Sequence, residues 1–345
     1  MKIEINKNYV LDTAKEILAC DSPSGFCYDV MKIIEDKAKG FGYKFETTNK
    51  GCGIITIPGE KNDKVIGLSA HVDTLGAMVR SITSNGTLKF TLVGGPSAPS
   101  LDSEYCKIRT REGKLYTGTI LSISPAVHVY EDANTLERKP SKMEIRIDEV
   151  VKSKEDVEKL GICAGDYIFI DTKTVVTESG FLKSRFIDDK GSVACLMGLL
   201  ELYNRTNTKP EYTTKIFISV YEEVGHGSSY IPSDITEMIA VDMGCIGEDL
   251  GCTEFDVSIC AKDSGGPYDY EMTTKLVGLA KQNELKYVVD IYPMYGSDVV
   301  AALRGGNNIR GALIGPGVHA SHGMERTHYS SMESTVKLLY LYLEK

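Results

Sequence analysis

Thr213-Thr214-Lys215-Ile216-Phe217-Ile218-Ser219-Val220-Tyr221-Glu222-Glu223-Val224-Gly225-His226-Gly227 joins two kinds of pattern in fifteen residues. Its first part alternates β-branched and aromatic residues and reads as a core strand. Its second part brings two adjacent carboxylates to the end of that strand. Neighbouring strand residues point to opposite faces, yet at a strand end running into a glycine-containing loop both carboxylates can reach one site. One acid holding a metal and the other moving a proton would make the working pair of a hydrolase. A solvated Glu-Glu at a loop is the plain alternative, so the remaining acids and histidines of the chain must decide.

Working outward, Arg185-Phe186-Ile187-Asp188-Asp189-Lys190-Gly191 leads into Val193 to Tyr203, apolar at helical period. The tandem acids therefore sit at a helix N-terminus, where Asp is a favoured cap and its charge suits the helix dipole. One can cap while its neighbour binds metal, and a carboxylate there can bridge two cations. Downstream, Met238-Ile239-Ala240-Val241-Asp242-Met243-Gly244 is another apolar strand ending in an acid, with a turn or cap role as the plain alternative. Upstream, Val65 to Ala70 is a strand ending in His71-Val72-Asp73-Thr74-Leu75-Gly76. A His and an Asp two apart share a face, so Asp73 can orient the imidazole while a ring nitrogen binds metal; His71 as an ordinary structural histidine stays open. The strand Arg310 to Ile314 runs into Gly315 to His328, which holds His319, His322 and His328, three of the six histidines.

The other segments fill an α/β layer arrangement, with helices preceding strands. Residues 8–19 and a segment over Val30, Ile33 and Ile34 read as helices separated by Asp21-Ser22-Pro23-Ser24-Gly25. Tyr43–Glu46, Gly53–Ile57, 254–261 and 286–291 read as strands, and 270–283, Val299–Leu303 and Met332–Leu343 as helices. From Ala77 to about Val176 the texture changes to short alternating runs, 88–92, 114–120 and 144–147, separated by Gly, Pro and Ser clusters, with one helical segment over 154–160. That stretch predicts a small all-β unit inserted into the α/β domain.

Composition excludes several classes. A net charge of −9 lacks the clustered positive surface that nucleic acid needs. No run approaches the roughly 18 apolar residues of a membrane span, and Met1 to Lys7 has no long apolar segment. No nucleic acid or membrane partner is expected, and the expected location is cytoplasmic. Nine cysteines, an odd number with no C-x-x-C pair, suit buried thiols in a reducing compartment. Any metal is therefore sought among His, Asp and Glu, whose chemistry suits zinc, cobalt or manganese.

Five strand or helix ends thus carry metal-capable groups, and in an open α/β sheet such ends converge on one crevice. Taken in order, Ala70-His71-Val72-Asp73-Thr74-Leu75-Gly76, Asp188-Asp189-Lys190, Glu222-Glu223-Val224-Gly225, Val241-Asp242-Met243-Gly244 and a C-terminal His resemble the glutamyl and tetrahedral-type aminopeptidases, a family with paired catalytic metal ions. The resemblance covers essentially the whole chain. It implies an α/β fold with a central mixed sheet flanked by helices, of the zinc-exopeptidase kind, and an inserted small β-barrel. Residues 1–76 and 177–345 would form the catalytic domain, and 77–176 an all-β dimerisation or oligomerisation domain. It also implies a metal-dependent aminopeptidase hydrolysing N-terminal residues from short peptides through a water held between two divalent ions, zinc or cobalt. His71 and Asp242 would bind one metal, Glu223 and His322 the other, and Asp188 both. Glu222 would be the general base and Asp73 would orient His71. A homo-oligomer, up to a dodecamer built from dimers, is implied as well. Thr74 stands where the family more often has an acid. The last ligand is open between His322, preferred for its distance from the closing helix, and His319; His328 reads as structural, and His226 as packing. A related dinuclear amidohydrolase or deacylase, and a non-catalytic assembly protein keeping the fold, are the alternative functions.

Overall fold

The computed structural model describes residues 3–344; Met1, Lys2 and Lys345, which fall within the expected catalytic domain, lie outside the described residues. The chain divides into two compact units, Met1–Asp73 with Lys173–Lys345, and Thr74–Thr172.

The first unit opens with α1 (Lys7–Leu18) and α2 (Tyr28–Gly40), then β1 (Lys44–Thr47), β2 (Gly53–Ile57) and β3 (Lys61–His71). Asn6 caps α1 by accepting the Tyr9 N–H at 3.1 Å, and Val10, Leu11, Ala14, Ile17 and Leu18 form its buried stripe. The second unit follows as β4 (Gly76–Ile82), β5 (Leu88–Val93), β6 (Tyr105–Arg109), β7 (Leu115–Ser122), β8 (Met143–Ile147), α3 (Lys154–Lys159) and β9 (Tyr167–Ile170). Its strands close into a barrel in the order β4-β5-β8-β7-β6-β9. Leu88, Ile108, Ile145 and Ile168 fill the interior without exposure, as inward positions of a small barrel require. β6 had no counterpart among the sequence-predicted strands: Lys107 and Arg109 mask the alternation that buries Cys106 and Ile108.

The chain returns through β10 (Val175–Val176), β11 (Phe181–Ser184), α4 (Ile187–Thr206), β12 (Tyr212–Ser219), β13 (Ile235–Val241), β14 (Gly244–Cys245), β15 (Val257–Asp263), β16 (Gly266–Pro267), α5 (Tyr270–Gln282), β17 (Tyr287–Ile291), α6 (Asp298–Arg304), β18 (Arg310–Val318), β19 (Glu325–His328) and α7 (Tyr329–Leu343). The main sheet is mixed and runs β1-β2-β12-β3-β13-β18-β15, with β16 and β17 both on β15. The four strands β12, β3, β13 and β18 are mutually parallel. Ile216, Phe217, Leu68, Met238 and Ile239 are all fully buried, because a parallel sheet is covered on both faces and its strands read as continuous apolar runs.

α4 is buried over nearly its whole length, from Ile187 to Tyr203, with the polar Asp188, Asp189, Lys190 and Ser192 included, so it is a core helix with no solvated face over that span. It packs against α1 and α7 and lies on β3. A Cβ at Gly198 would come within 2.6 Å of Val10, so the α1–α4 approach depends on that glycine. α7 begins at Tyr329, three residues before the expected start. The His328 side chain accepts the Ser330 N–H and caps the helix, a role that apolar periodicity does not reveal. Among the described residues no helix is long and apolar enough to cross a membrane.

Candidate metal centre

Parallel pairing in register carries the expected acids to one edge. Ser219 of β12 lies beside His71 of β3, and Val241 of β13 beside Ile314 of β18. His71, Glu222, Glu223 and Asp242 therefore leave the sheet together, at the carboxyl ends where an open α/β sheet forms its crevice. Glycine makes this convergence possible at one point: a Cβ on Gly315 would lie 1.7 Å from the Asp242 carbonyl oxygen.

His71 is 1% exposed, and its Nδ1 donates to the main-chain carbonyl of Asp73 at 2.9 Å. A carbonyl can only accept, so Nδ1 carries a proton, and in the neutral ring Nε2 turns a lone pair toward Asp188 Oδ1 at 3.3 Å and Glu222 Oε2 at 3.7 Å. Three lone-pair-bearing atoms at those distances require a proton or a cation among them. The Asp73 carboxylate lies farther from the ring, Oδ1 to Nδ1 3.6 Å. It accepts instead from Glu222 N at 3.1 Å, Glu223 N at 3.3 Å and the Ser24 hydroxyl at 2.5 Å. Asp73 thus holds the short 3₁₀ turn Glu222–Val224, and its main chain holds the imidazole.

Asp188 reaches His71 through one oxygen and His322 Nε2 through the other at 3.5 Å; His322 Nε2 is also 3.8 Å from Glu223 Oε2. His322, not His319, comes to the acids. His319 forms a main-chain bridge with Arg326 on the surface, His328 packs between Phe181 and Phe255, and His226 stacks on Tyr221. Neither Asp188 nor Asp189 caps α4. The cap position is Phe186, at φ 64°, and both acids have non-helical backbone inside the first turn, joined by a cis peptide. Asp189, which the ligand set read from sequence omits, is fully buried, and its Oδ2 accepts the His71 N–H at 3.2 Å.

Two sets of ligand atoms lie within 4.8 Å of one another: His71, Asp188 and Glu223, and His71, Asp189 and Asp242. Burial pushes Glu222, Glu223 and Asp189 well above the usual carboxylate range, with neighbouring carboxylates adding to it, and lifts Asp242 to about 7. Burial also opposes ionisation of Asp188, but the imidazoles of His322 and His71 overcome it and hold that carboxyl below its ordinary value. Burial works against charge on His71 as well, yet Asp188, Glu222 and Asp189 raise it well above normal. Five carboxylates around two imidazoles leave an excess of negative charge that divalent cations would neutralise. Glu223 Oε1 is buried without a hydrogen-bond partner, and such oxygen and imidazole donors fit zinc, cobalt or manganese.

Residues 51–338 match the family described as M42 glutamyl aminopeptidase. The chain belongs to that family. This M42 chain is accordingly a peptidase, a hydrolase of the aminopeptidase kind. It is 46% identical to YhfE of Bacillus subtilis over 335 residues, covering 97% of each chain. It is 26% identical to the glutamyl aminopeptidase of Lactococcus lactis over 219 residues, 63% of this chain and 60% of that one. An aminopeptidase from Desulfurococcus kamchatkensis superposes with a TM-score of 0.87 at 20% identity, over 98% of this chain and 95% of that one. The TET1 peptidase of Pyrococcus horikoshii, which can assemble into a tetrahedron or a large octahedral shell, does so at 0.83 and 20% identity, over 97% and 99%. These structures share the M42 chain's mixed α/β fold and barrel.

Three residues of this M42 site escaped the sequence reading. Lys190 is fully buried and donates to the Cys20 carbonyl at 2.6 Å; its place directly after two acids was the available signal. Asp298, the first residue of α6, accepts the Ser219 hydroxyl at 2.8 Å and the Ser228 N–H at 3.1 Å, closing the loop that carries Glu222 and Glu223. Glu325, three residues after His322, is 1% exposed and points inward from β19. Burial and Asp188 push it up to about 8.

Proposed function

We propose that the chain is a dinuclear metal aminopeptidase releasing N-terminal residues from short peptides. His71, Asp188 and Asp242 would hold one divalent cation and Asp188, Glu223 and His322 a second, with zinc or cobalt the favoured ions. The observation that carries this reading is the meeting of five carboxylates, those of Asp188, Asp189, Glu222, Glu223 and Asp242, with the imidazoles of His71 and His322 in one crevice, an excess of acids that divalent cations would neutralise. When bound, the ions would lower the pKa of a water and polarise the scissile carbonyl.

The chain's own residues do the rest. Glu222, on its turn at the mouth of β12, takes the proton of the attacking water and passes it to the leaving amine. Asp73 fixes that turn through two main-chain N–H groups. The crevice beside the acids, about 490 Å³ and walled by Met243, Tyr295 and Gly296, receives the peptide's N-terminal end. Carboxylates not taken up by the ions can meet its free ammonium.

The barrel unit Thr74–Thr172 is proposed as the dimerisation element of a homo-oligomer, up to a dodecamer built from dimers, supported by the assembly of the P. horikoshii relative. Light scattering at micromolar concentration that finds a monomer refutes it. A cytoplasmic location is proposed on the nine cysteines, an odd number with no C-x-x-C pair and six of them buried.

The test is elemental analysis of the wild type and Asp188→Asn, with hydrolysis of free and N-blocked peptides. About two metals per wild-type chain, lost with activity in the variant, and hydrolysis of free peptides only, are expected. Cleavage of N-acylated substrates would transfer the site to the amidohydrolases. No bound metal after zinc or cobalt is supplied would overturn the reading.

A further inference from the structure

We propose that Glu325 is the positioning residue that locks the two halves of the metal site together, its buried carboxylate holding the backbones of Asp188 and His322 in mutual register. One oxygen accepts the Asp188 N–H at 3.0 Å and the other accepts the His322 N–H at 2.9 Å. The inference rests on the dinuclear reading above.

Both anchored residues need such a partner. Asp188 has φ −72° and ψ 102°, outside helical geometry, and His322 has φ 62°, in the left-handed region. Neither backbone N–H enters a helix or ladder bond, and a buried N–H without an acceptor is costly. The two segments lie 134 positions apart in sequence, yet their side chains must meet with His322 Nε2 3.5 Å from Asp188 Oδ2. A single rigid group bonded to both main chains sets that separation.

Glu325 is itself fixed from both sides. It pairs with Ser184 of β11, four residues before Asp188, so its backbone is tied to the strand feeding α4. His319 and Arg326 exchange two main-chain hydrogen bonds, 2.8 and 3.1 Å, and close the loop that carries His322. At 1% exposure, water cannot replace the carboxylate. Only an acceptor at both ends satisfies the geometry. A glutamine would turn its amide N–H₂ against one of the two N–H donors and release either Asp188 or His322.

The test compares wild type with Glu325→Gln, reading zinc affinity and stoichiometry by titration calorimetry, hydrogen exchange of metal-free protein, and kcat separately from KM. Glu325→Gln should bind zinc about 10–100-fold more weakly, the range for losing a group that orients a ligand. Exchange should speed up at 186–189 and 319–323 but not across the core, and kcat should fall with KM little changed. Wild-type zinc affinity in a folded Glu325→Gln chain overturns the proposal. So does a uniform rise in exchange, which marks a merely structural role. Should the variant not fold, metal-free wild type decides: the Asp188 and His322 amides must be protected, and fast exchange at both refutes it. A wild type that binds no zinc at all would instead bring down the dinuclear reading, and this inference with it.

Discussion

Replacing Asp73 by Asn separates two roles for that residue. Asp73 is 0% exposed, and its carboxylate has three partners: Glu222 N at 3.1 Å, Glu223 N at 3.3 Å and the Ser24 hydroxyl at 2.5 Å. An Asn keeps one oxygen and places an N–H₂ where the other stood. With nitrogen at the Oδ2 position, the Ser24 hydroxyl can rotate to accept, but the Glu223 N–H is orphaned; with nitrogen at Oδ1, the Glu222 N–H is. One buried donor loses its acceptor either way, a cost of about 1–3 kcal/mol. For a unit of this size that lowers Tm by about 2–4 °C per kcal/mol. His71 should keep its orientation, because its Nδ1 bonds the main-chain carbonyl of Asp73 and not the carboxylate. Asp73→Asn is therefore expected to retain bound metal, lose a few degrees of Tm, and lose about 10–100-fold in kcat as the Glu222 turn shifts by a fraction of an ångström. Elemental analysis, a thermal melt and steady-state kinetics on an aminoacyl anilide read the three quantities. Loss of metal with an undisturbed kcat per bound ion would refute the assignment and return the carboxylate to the imidazole.

Glu222→Gln should retain its metal content while kcat falls about 10²–10⁴-fold, the usual range for removing a general base; activity within tenfold of wild type would exclude Glu222 from that role. Gly315→Ala drives a methyl into the Asp242 carbonyl oxygen, 1.7 Å from the ideal Cβ, so it should displace the end of β13 and cost bound metal, as elemental analysis would show. Burial lowers Lys190 from its ordinary 10.5 to about 8. Below pH 8 both folded and unfolded chains carry that proton. Between pH 8 and 10.5 the unfolded chain holds it and the folded chain has released it, so stability rises with pH through that window. The urea-melt stability of wild type minus that of Lys190→Met should therefore climb by roughly 3 kcal/mol across it, and a flat difference would show that Lys190 is not so depressed.

The sequence by itself determined the element types, the α/β class and the list of acids and histidines from which the site is drawn. Period-2 and period-3.6 apolar patterns record which faces are buried, and the acids stand at the ends of those patterns. His71, Glu222, Glu223 and Asp242 were legible as side chains closing apolar strands, Asp188 as an acid ahead of an apolar helical run, and His322 as one of three histidines after the last strand. β6 was not, because two cations on its outer face obscure a short alternation. Tertiary structure alone decided which neighbours act on these residues. That His322 and not His319 meets Asp188 depends on a loop closed by a bridge and on a left-handed φ. That Asp73 spends its carboxylate on the Glu222 turn depends on the parallel register of β12 beside β3. That Glu325 reaches both Asp188 and His322 depends on β19 pairing with β11. Each is a contact between chain segments far apart in sequence, set by strand pairing and by the need to satisfy buried N–H groups. Local sequence carries the side chains' chemistry, but not the distances between them.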